Sequence, residues 1–156
     1  MKAIHGIIAA AALTFVQPAP ASAAPTDPEV IIYRFPGVLD DGSALNVGIA
    51  TVFHCTNFSG AVETMRFVTR NPLGQLLSNF QTSFDHLQTI ALSTHQTNAY
   101  RDFDLATGAV NIGTTAIAAT SINVICTAMT IDAANQKPTG VSLRGIRFSP
   151  APGSQE

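Results

Sequence analysis

The chain has no tryptophan, only two tyrosines, and few charged side chains, which make up 12% of its 156 residues. Sugar-binding platforms are built mostly from Trp and Tyr, because each joins a broad apolar face to a polar tip, so their scarcity argues against a platform of that kind. The charges form no runs and sum to a formal net charge of −2. Such a distribution of charge does not predict the strongly basic surface that attracts nucleic acids and anionic membranes.

Motifs for catalysis and metal binding are also absent. The chain contains no G-x-S-x-G nucleophile elbow. His86 and His95 are too far apart in sequence for the histidine spacing of zinc sites. His54 adjoins Cys55, but neighbouring side chains on a strand point to opposite faces, so these two do not point toward one metal ion. The sequence therefore predicts no metal site and no cofactor.

The first two dozen residues have the order of a secretory signal peptide. A lysine at the second position precedes an apolar stretch from Ile4 to Val16, and the small residues Ala21-Ser22-Ala23-Ala24 follow. The apolar stretch is shorter than the ~20 residues that a membrane-spanning helix needs. We therefore predict a signal peptide over residues 1–23, cleaved after Ala23 or Ala24, and a secreted or periplasmic protein without a transmembrane segment.

Two cysteines, Cys55 and Cys126, lie in the part predicted to be exported. Exported proteins mature in oxidising compartments, so the pair predicts one intrachain disulfide. On the chain-entropy model, closing so long a loop stabilises the fold by about 4 kcal/mol. The alternative is a pair of thiols, one of them reactive.

The remaining residues, 24–156, are predicted to form a single all-β domain. Short segments with period-two patterning are separated by clusters of Gly, Pro, Asn and Asp, which favour turns. We interpret them as an antiparallel, immunoglobulin-like β-sandwich in which the disulfide joins the two halves of the core. The segments are residues 30–35, 47–55, 62–70, 89–95, 99–103, 109–118, 122–131 and 141–148.

Two segments are harder to interpret. Between residues 72 and 92 the leucines and phenylalanines follow helical spacing, but Gly74 and many Ser, Thr and Asn residues oppose a helix. We predict a strand, a loop with one helical turn near 83–87, and a second strand, and we leave a longer helix open. In the last segment the alternation slips at Gly145, which predicts a β-bulge within one strand.

Three stretches resemble a group of small exported bacterial β-sandwich proteins of unassigned activity. They are Gly48 to Asn57, Val124 to Asp132 and Arg147 to Glu156, and the two cysteine-centred stretches are the most specific. The resemblance covers roughly residues 48–156. It implies a periplasmic or extracellular β-sandwich and carries no catalytic residues to transfer.

Charged residues supply two further candidates. If the strands that carry them are neighbours, Arg66, Arg70, Arg144 and Arg147 form a basic patch suited to a phosphate or an acidic glycan, because arginine binds such groups with two parallel hydrogen bonds. Ordinary outward charge is the alternative. Asp102 and Asp104 share one face of a strand and predict a solvent-facing edge strand.

Our first hypothesis for function is a non-catalytic exported module that contacts a protein or cell-envelope partner through its surface or an edge strand. The alternative is a small secreted enzyme or metal-binding protein that uses His54, His86, His95 and a carboxylate. A structural envelope protein that self-associates is a third possibility. The sequence does not indicate the oligomeric state.

Overall fold

The structure is a computed structural model that describes residues 29–148, and every regular element in that range is a strand. The predicted signal peptide lies outside the described residues. Within residues 29–148, no helix is long and apolar enough to cross a membrane. The ten strands are β1 (Val30–Asp40), β2 (Ile49–Asn57), β3 (Glu63–Arg70), β4 (Leu76–Phe84), β5 (Thr89–Ser93), β6 (Asp102–Asp104), β7 (Val110–Ala119), β8 (Val124–Asp132), β9 (Gly140–Leu143) and β10 (Ile146–Arg147).

The strands form two five-stranded sheets. The first sheet has the order β10-β1-β7-β3-β4, and the second has the order β6-β5-β2-β8-β9. All neighbours are antiparallel except β5 and β6, which run parallel. The all-β, sandwich-like fold is therefore confirmed, while immunoglobulin-like topology stays a prediction.

Alternation along the strands places aromatic rings between the two sheets. Phe35 of β1 and Phe67 of β3 come from the first sheet, and Phe53 of β2 comes from the second. The Phe53 ring lies 5.6 Å from the Phe35 ring and 5.8 Å from the Phe67 ring, measured between centroids. All three side chains are buried. Each such burial stabilises the fold by roughly 1.5–3 kcal/mol.

The end of β1 departs from regular pairing, and this departure aims Asp40 inward. The register between β1 and β7 shifts on both sides of Val38, so that Val38 and Asp40 are both buried. The Leu39 backbone is satisfied from the other sheet: its N–H donates to the Thr51 hydroxyl at 2.9 Å, and that hydroxyl donates to the Leu39 carbonyl at 2.8 Å. The Thr51 hydroxyl thus supplies the two hydrogen bonds that the Leu39 backbone would otherwise make to a neighbouring strand.

The segment from residue 72 to residue 92 contains no helix. It forms β4, a turn and β5, so the strand–loop–strand prediction is confirmed and its helical turn near residues 83–87 is wrong. The Asn71 carboxamide oxygen accepts hydrogen bonds from the backbone N–H groups of Leu73 and Gln75 and closes the turn before β4. Local hydrogen bonding by asparagine thus outweighs the helical spacing of the apolar side chains.

The last predicted strand is two strands in different sheets. β9 pairs with β8 in the second sheet, whereas β10 pairs with β1 in the first. The chain changes sheets at Arg144 and Gly145, so a bulge within one strand is the wrong interpretation. A Cβ atom at Gly145 would collide with the Phe35 ring. Glycine is therefore required for the chain to pass so close to the core.

Candidate functional site

The most deeply buried ionisable pair joins Asp40 and His95. The Nδ1 atom of His95 lies 2.8 Å from Oδ2 of Asp40, and its Nε2 atom lies 3.0 Å from the Val47 carbonyl oxygen. Both side chains are buried, with 7% and 1% of their surface exposed for His95 and Asp40. Both ring nitrogens therefore lie within hydrogen-bond distance of a protein oxygen atom.

His95 is held in place by the segment that follows β5. The Thr94 N–H donates to the Thr51 carbonyl at 3.0 Å, and the Thr94 hydroxyl accepts from the Thr51 N–H at 3.0 Å. One residue later, the Gln96 carbonyl accepts from the Asn46 N–H at 2.8 Å. His95 therefore ties the β5–β6 connection to the loop between β1 and β2.

A second carboxylate lies next to this pair. Ligand atoms of Asp40, Asp41 and His95 lie within 4.8 Å of one another, and among the described residues this is the single group of three or more that could hold a metal ion. Some of the carboxylate oxygens that would bind a metal ion already accept hydrogen bonds from the backbone. Asp40 Oδ1 accepts one from the Gly42 N–H at 2.7 Å, and Asp41 Oδ1 accepts one from the Ser43 N–H at 3.1 Å. The geometry thus favours a structural cluster over a metal centre.

The electrostatics of Asp41 agree with this interpretation. Desolvation raises the pKa of its carboxyl group, but hydrogen bonds from the Ser43 hydroxyl and backbone and from the Ile49 backbone act in the opposite direction. The net result is a pKa below the ordinary value of an aspartate. These hydrogen bonds favour the ionised form of Asp41.

Gly48 permits the close approach of the Asp41 loop, and its replacement gives a first prediction. Gly48 has φ of +77°, and a Cβ atom there would collide with the Asp41 carboxylate and the Ser43 hydroxyl. We expect Gly48→Ala to lower the free energy of unfolding by about 2 kcal/mol or more, because backbone strain and steric collision add together. Urea denaturation measures this loss.

Gly74→Ala is the matched control for that prediction. Gly74 has φ of +80°, and a Cβ atom there would meet nothing within 4 Å. Its replacement reports the backbone strain alone, which we expect to cost about 1 kcal/mol. Equal losses in the two variants would contradict the proposed packing of Gly48 against Asp41.

The three histidines outside the predicted signal peptide lie at separate places. His54 stacks edge-on against the Tyr100 ring, with centroids 4.5 Å apart, whereas His86 accepts a hydrogen bond at Nδ1 from the Gly60 N–H at 3.0 Å. Burial lowers the pKa of His54 below its ordinary value, and the Asp102 carboxylate offsets part of this shift. The one metal-compatible group among residues 29–148 includes neither His54 nor His86.

The cysteine pair is oxidised, as predicted. Cys55 and Cys126 form a disulfide, and they are directly opposed in the register between β2 and β8, with Cα atoms 4.2 Å apart. Both strands belong to the second sheet, so the expectation that the bridge joins two halves of the core is wrong. Because these are the only two cysteines, no thiol remains for catalysis or metal binding.

The structure separates the arginines of the predicted basic patch. Arg66 and Arg70 lie on β3, Arg144 lies between β9 and β10, and Arg147 lies on β10. β7 and β1 stand between β3 and β10, so the strands are not neighbours. Arg147 lies over the Tyr33 ring and donates to the Ile122 carbonyl. The four-arginine patch stays a prediction, and its condition of adjacent strands is not met.

Arg66 is the one member of that set with a carboxylate partner among residues 29–148. Its Nε atom lies 2.6 Å from the Glu29 carboxylate. Its two terminal nitrogens also donate to the side chains of Asn79 and Gln81 on β4. Arg66 therefore braces the outer face of the first sheet.

The prediction of an edge strand at Asp102 and Asp104 is confirmed, although both aspartates are half-buried and Phe103 is the exposed residue between them. β6, which carries Asp102 and Asp104, is an edge of the second sheet, as expected. Asp102 accepts from the N–H and hydroxyl of Thr97, and Asp104 accepts from the Ala106 N–H. The two carboxylates therefore hold the segments before and after β6 by hydrogen bonds, and they also place negative charge at this edge.

Sequence reasoning missed both partners of His95. Asp40 lies 55 positions from His95 along the chain, and no local pattern links two residues so far apart. No protein-family model, no curated protein and no solved structure matches this chain.

Proposed function

We propose that this chain is a non-catalytic, exported binding module that recognises another polypeptide by strand addition at β4. The observation that carries the proposal is the character of this edge strand. β4 has nine residues, Leu76–Phe84, with no charged residue and no proline, and it pairs with β3 alone. Unpaired backbone groups along such an edge can accept an added strand.

The other three sheet edges are shorter. β10 has two residues and carries Arg147, and β6 has three residues and carries two aspartates. β9 has four residues. Short strands and charges are the usual devices that prevent unwanted pairing at an edge. β4 uses neither device, which supports a role for it in binding.

The two faces of β4 indicate the chemistry of a fitting partner. Asn79 and Gln81 are exposed and lie beside Arg66, whereas Phe80 packs at the margin of the core. A fitting strand is therefore uncharged and alternates apolar side chains with amides or hydroxyls.

A second copy of β4 meets most of this requirement when the two strands pair antiparallel about Phe80. Amide then faces amide, hydroxyl faces hydroxyl and apolar faces apolar in the pairs Asn79 with Gln81, Ser78 with Thr82, and Leu76 with Phe84, whereas Leu77 faces Ser83. Matched cross-strand pairs each contribute roughly 0.2–1 kcal/mol. A peptide with the β4 sequence is therefore a rational probe of this edge.

The experiment measures binding of a labelled peptide with the sequence of residues 76–84 by fluorescence anisotropy. We expect saturable binding that Asn79→Lys weakens at least about tenfold, because a charge on the edge opposes pairing. Val141→Lys is the matched control, since it places the same charge on β9, the exposed edge of the other sheet. We expect this variant to bind like the wild type.

Backbone methylation distinguishes strand addition from nonspecific apolar contact. In an antiparallel pair, alternate residues exchange both backbone hydrogen bonds. N-methylation of one alternate set of peptide residues should abolish binding, and methylation of the other set should not. Equal effects of both sets, or an absence of binding, would contradict the proposal. Native mass measurement shows whether a second copy of the chain occupies the edge.

The disulfide supports the exported part of the proposal. Disulfides persist in oxidising compartments and are rare in the cytosol. The bridge also removes the two thiols that a thiol-dependent enzyme would need. The measurement is the mass of the protein recovered from the producing cell's periplasm or medium, which should equal that of a chain beginning at Ala24 or Pro25.

A further inference from the structure

A shallow groove crosses the outer face of the first sheet. Its volume is about 160 Å³, and its lining includes Arg34, Arg70, Thr114, Ala116 and Ala118. The three residues from β7 form its floor, and the arginines stand on the neighbouring strands β1 and β3. The groove lies on the face of the first sheet and does not include β4.

The side chains of β7 create this depression. Within the groove, the residues that β7 directs outward are the small residues Thr114, Ala116 and Ala118, whereas the neighbouring strands carry larger side chains beside them. Ala116 is opposed by Arg34 on one side and by Val68 on the other, and Thr114 is opposed by Arg70. Adjacent strands lie about 4.8 Å apart, so β1 and β3 are about 10 Å apart across β7. Arg34 and Arg70 are also offset by two residues along the strands, which places their Cα atoms about 12 Å apart. Both side chains line the groove.

The charge in the groove is not neutralised by the described part of the chain. Residues 29–148 form two ion pairs, Arg66 with Glu29 and His95 with Asp40, and neither includes Arg34 or Arg70. Arg34 lies over the Phe148 ring, 5.7 Å from its centroid, and Arg70 donates one hydrogen bond to the Gly74 carbonyl at 2.8 Å. Each guanidinium carries five N–H donors, so most of them remain for a ligand.

We propose that this groove binds a small oxyanion-bearing ligand, a carboxylate or phosphate group clamped between Arg34 and Arg70. Arginine binds planar or tetrahedral oxyanions with paired hydrogen bonds, which are stronger than those between neutral groups. The Thr114 hydroxyl can donate to the same anion, and the alanine methyl groups suit the less polar part of the ligand. This site differs from the predicted patch because it pairs Arg70 with Arg34 and does not include Arg66, Arg144 or Arg147.

The test uses isothermal titration calorimetry on the full-length exported chain at low salt. The probes are inorganic phosphate and galacturonate, which distinguish a phosphate group from a sugar carboxylate. We expect saturable binding of at least one probe, which weakens as the salt concentration rises. Arg34→Gln and Arg70→Gln should each weaken it about tenfold or more, and Arg101→Gln, an exposed arginine outside the groove, should leave it unchanged.

Ala116→Leu separates a shaped site from simple charge attraction. The variant keeps every arginine and fills the floor of the groove with a larger side chain. We expect it to abolish binding while the unfolding midpoint stays within a few degrees of wild type, since Ala116 lies on the outer face. Binding that survives Ala116→Leu, or binding that Arg34→Gln and Arg70→Gln leave unchanged, would overturn the proposal. Failure of both probes to bind at concentrations up to about 10 mM would also overturn it.

Discussion

Replacing both cysteines, in the variant Cys55→Ala with Cys126→Ala, is expected to lower the free energy of unfolding by about 4 kcal/mol. The bridge closes a loop across 71 sequence positions, and without it the unfolded chain gains conformational freedom. A domain is typically stable by only about 5–15 kcal/mol, so the loss is a large fraction of the total. Urea denaturation of the wild type and the variant measures it.

The position of the disulfide predicts which state the variant changes. β2 and β8 pair continuously from Ile49 opposite Asp132 to Asn57 opposite Val124, so the backbone ladder holds both strands without the bridge. We therefore expect the circular dichroism spectrum of the folded variant to match that of the wild type. The control is a reductant, which should destabilise the wild type and leave the variant unchanged. Equal stability of oxidised and reduced wild type would contradict the prediction.

Removal of either partner in the Asp40–His95 pair is expected to lower the free energy of unfolding by about 3–5 kcal/mol. Asp40→Ala leaves the His95 ring buried without its carboxylate, and His95→Ala leaves a buried carboxylate without its ring. An unpaired buried charge is costly because the protein interior solvates it poorly. Thermal and urea denaturation of the two single variants test this expectation.

The double variant and an exposed pair supply the controls. Asp40→Ala combined with His95→Ala should cost less than the sum of the single changes, because the second change removes a group that the first left unpaired. Arg66→Gln, at the more exposed pair with Glu29, should cost only about 1 kcal/mol or less. Additive losses in the double variant would show that Asp40 and His95 do not act as a pair.

The same variants test the metal-binding alternative. If the cluster of Asp40, Asp41 and His95 has a structural role, we expect that divalent zinc does not raise the unfolding temperature, because both His95 ring nitrogens already lie within hydrogen-bond distance of protein oxygen atoms. A zinc-dependent rise in unfolding temperature that Asp40→Ala or His95→Ala removes would instead assign the cluster to a metal site.

Features that depend on neighbouring residues follow from the sequence. Period-two alternation of apolar residues predicts the strands, and in β8 it appears as buried Val124, Cys126 and Ala128 alternating with exposed Ile125 and Thr127. The hydrogen bonds that follow β1 are also local, since the Asp40 and Asp41 side chains accept them from N–H groups two residues ahead. The disulfide follows from composition and compartment, because two cysteines have only one possible partner each.

Features that depend on strand order were decided by the tertiary structure. The sequence does not state that β2 and β8 share a sheet, that the chain changes sheets at Gly145, or that Arg34 lies across β7 from Arg70. The pairing of Asp40 with His95 belongs to the same class. Alternation assigns each residue to a face of its own strand, but neighbours across a sheet or between sheets are selected by packing of the whole chain. The local pattern therefore determines the strands, and only long-range packing determines which side chains meet.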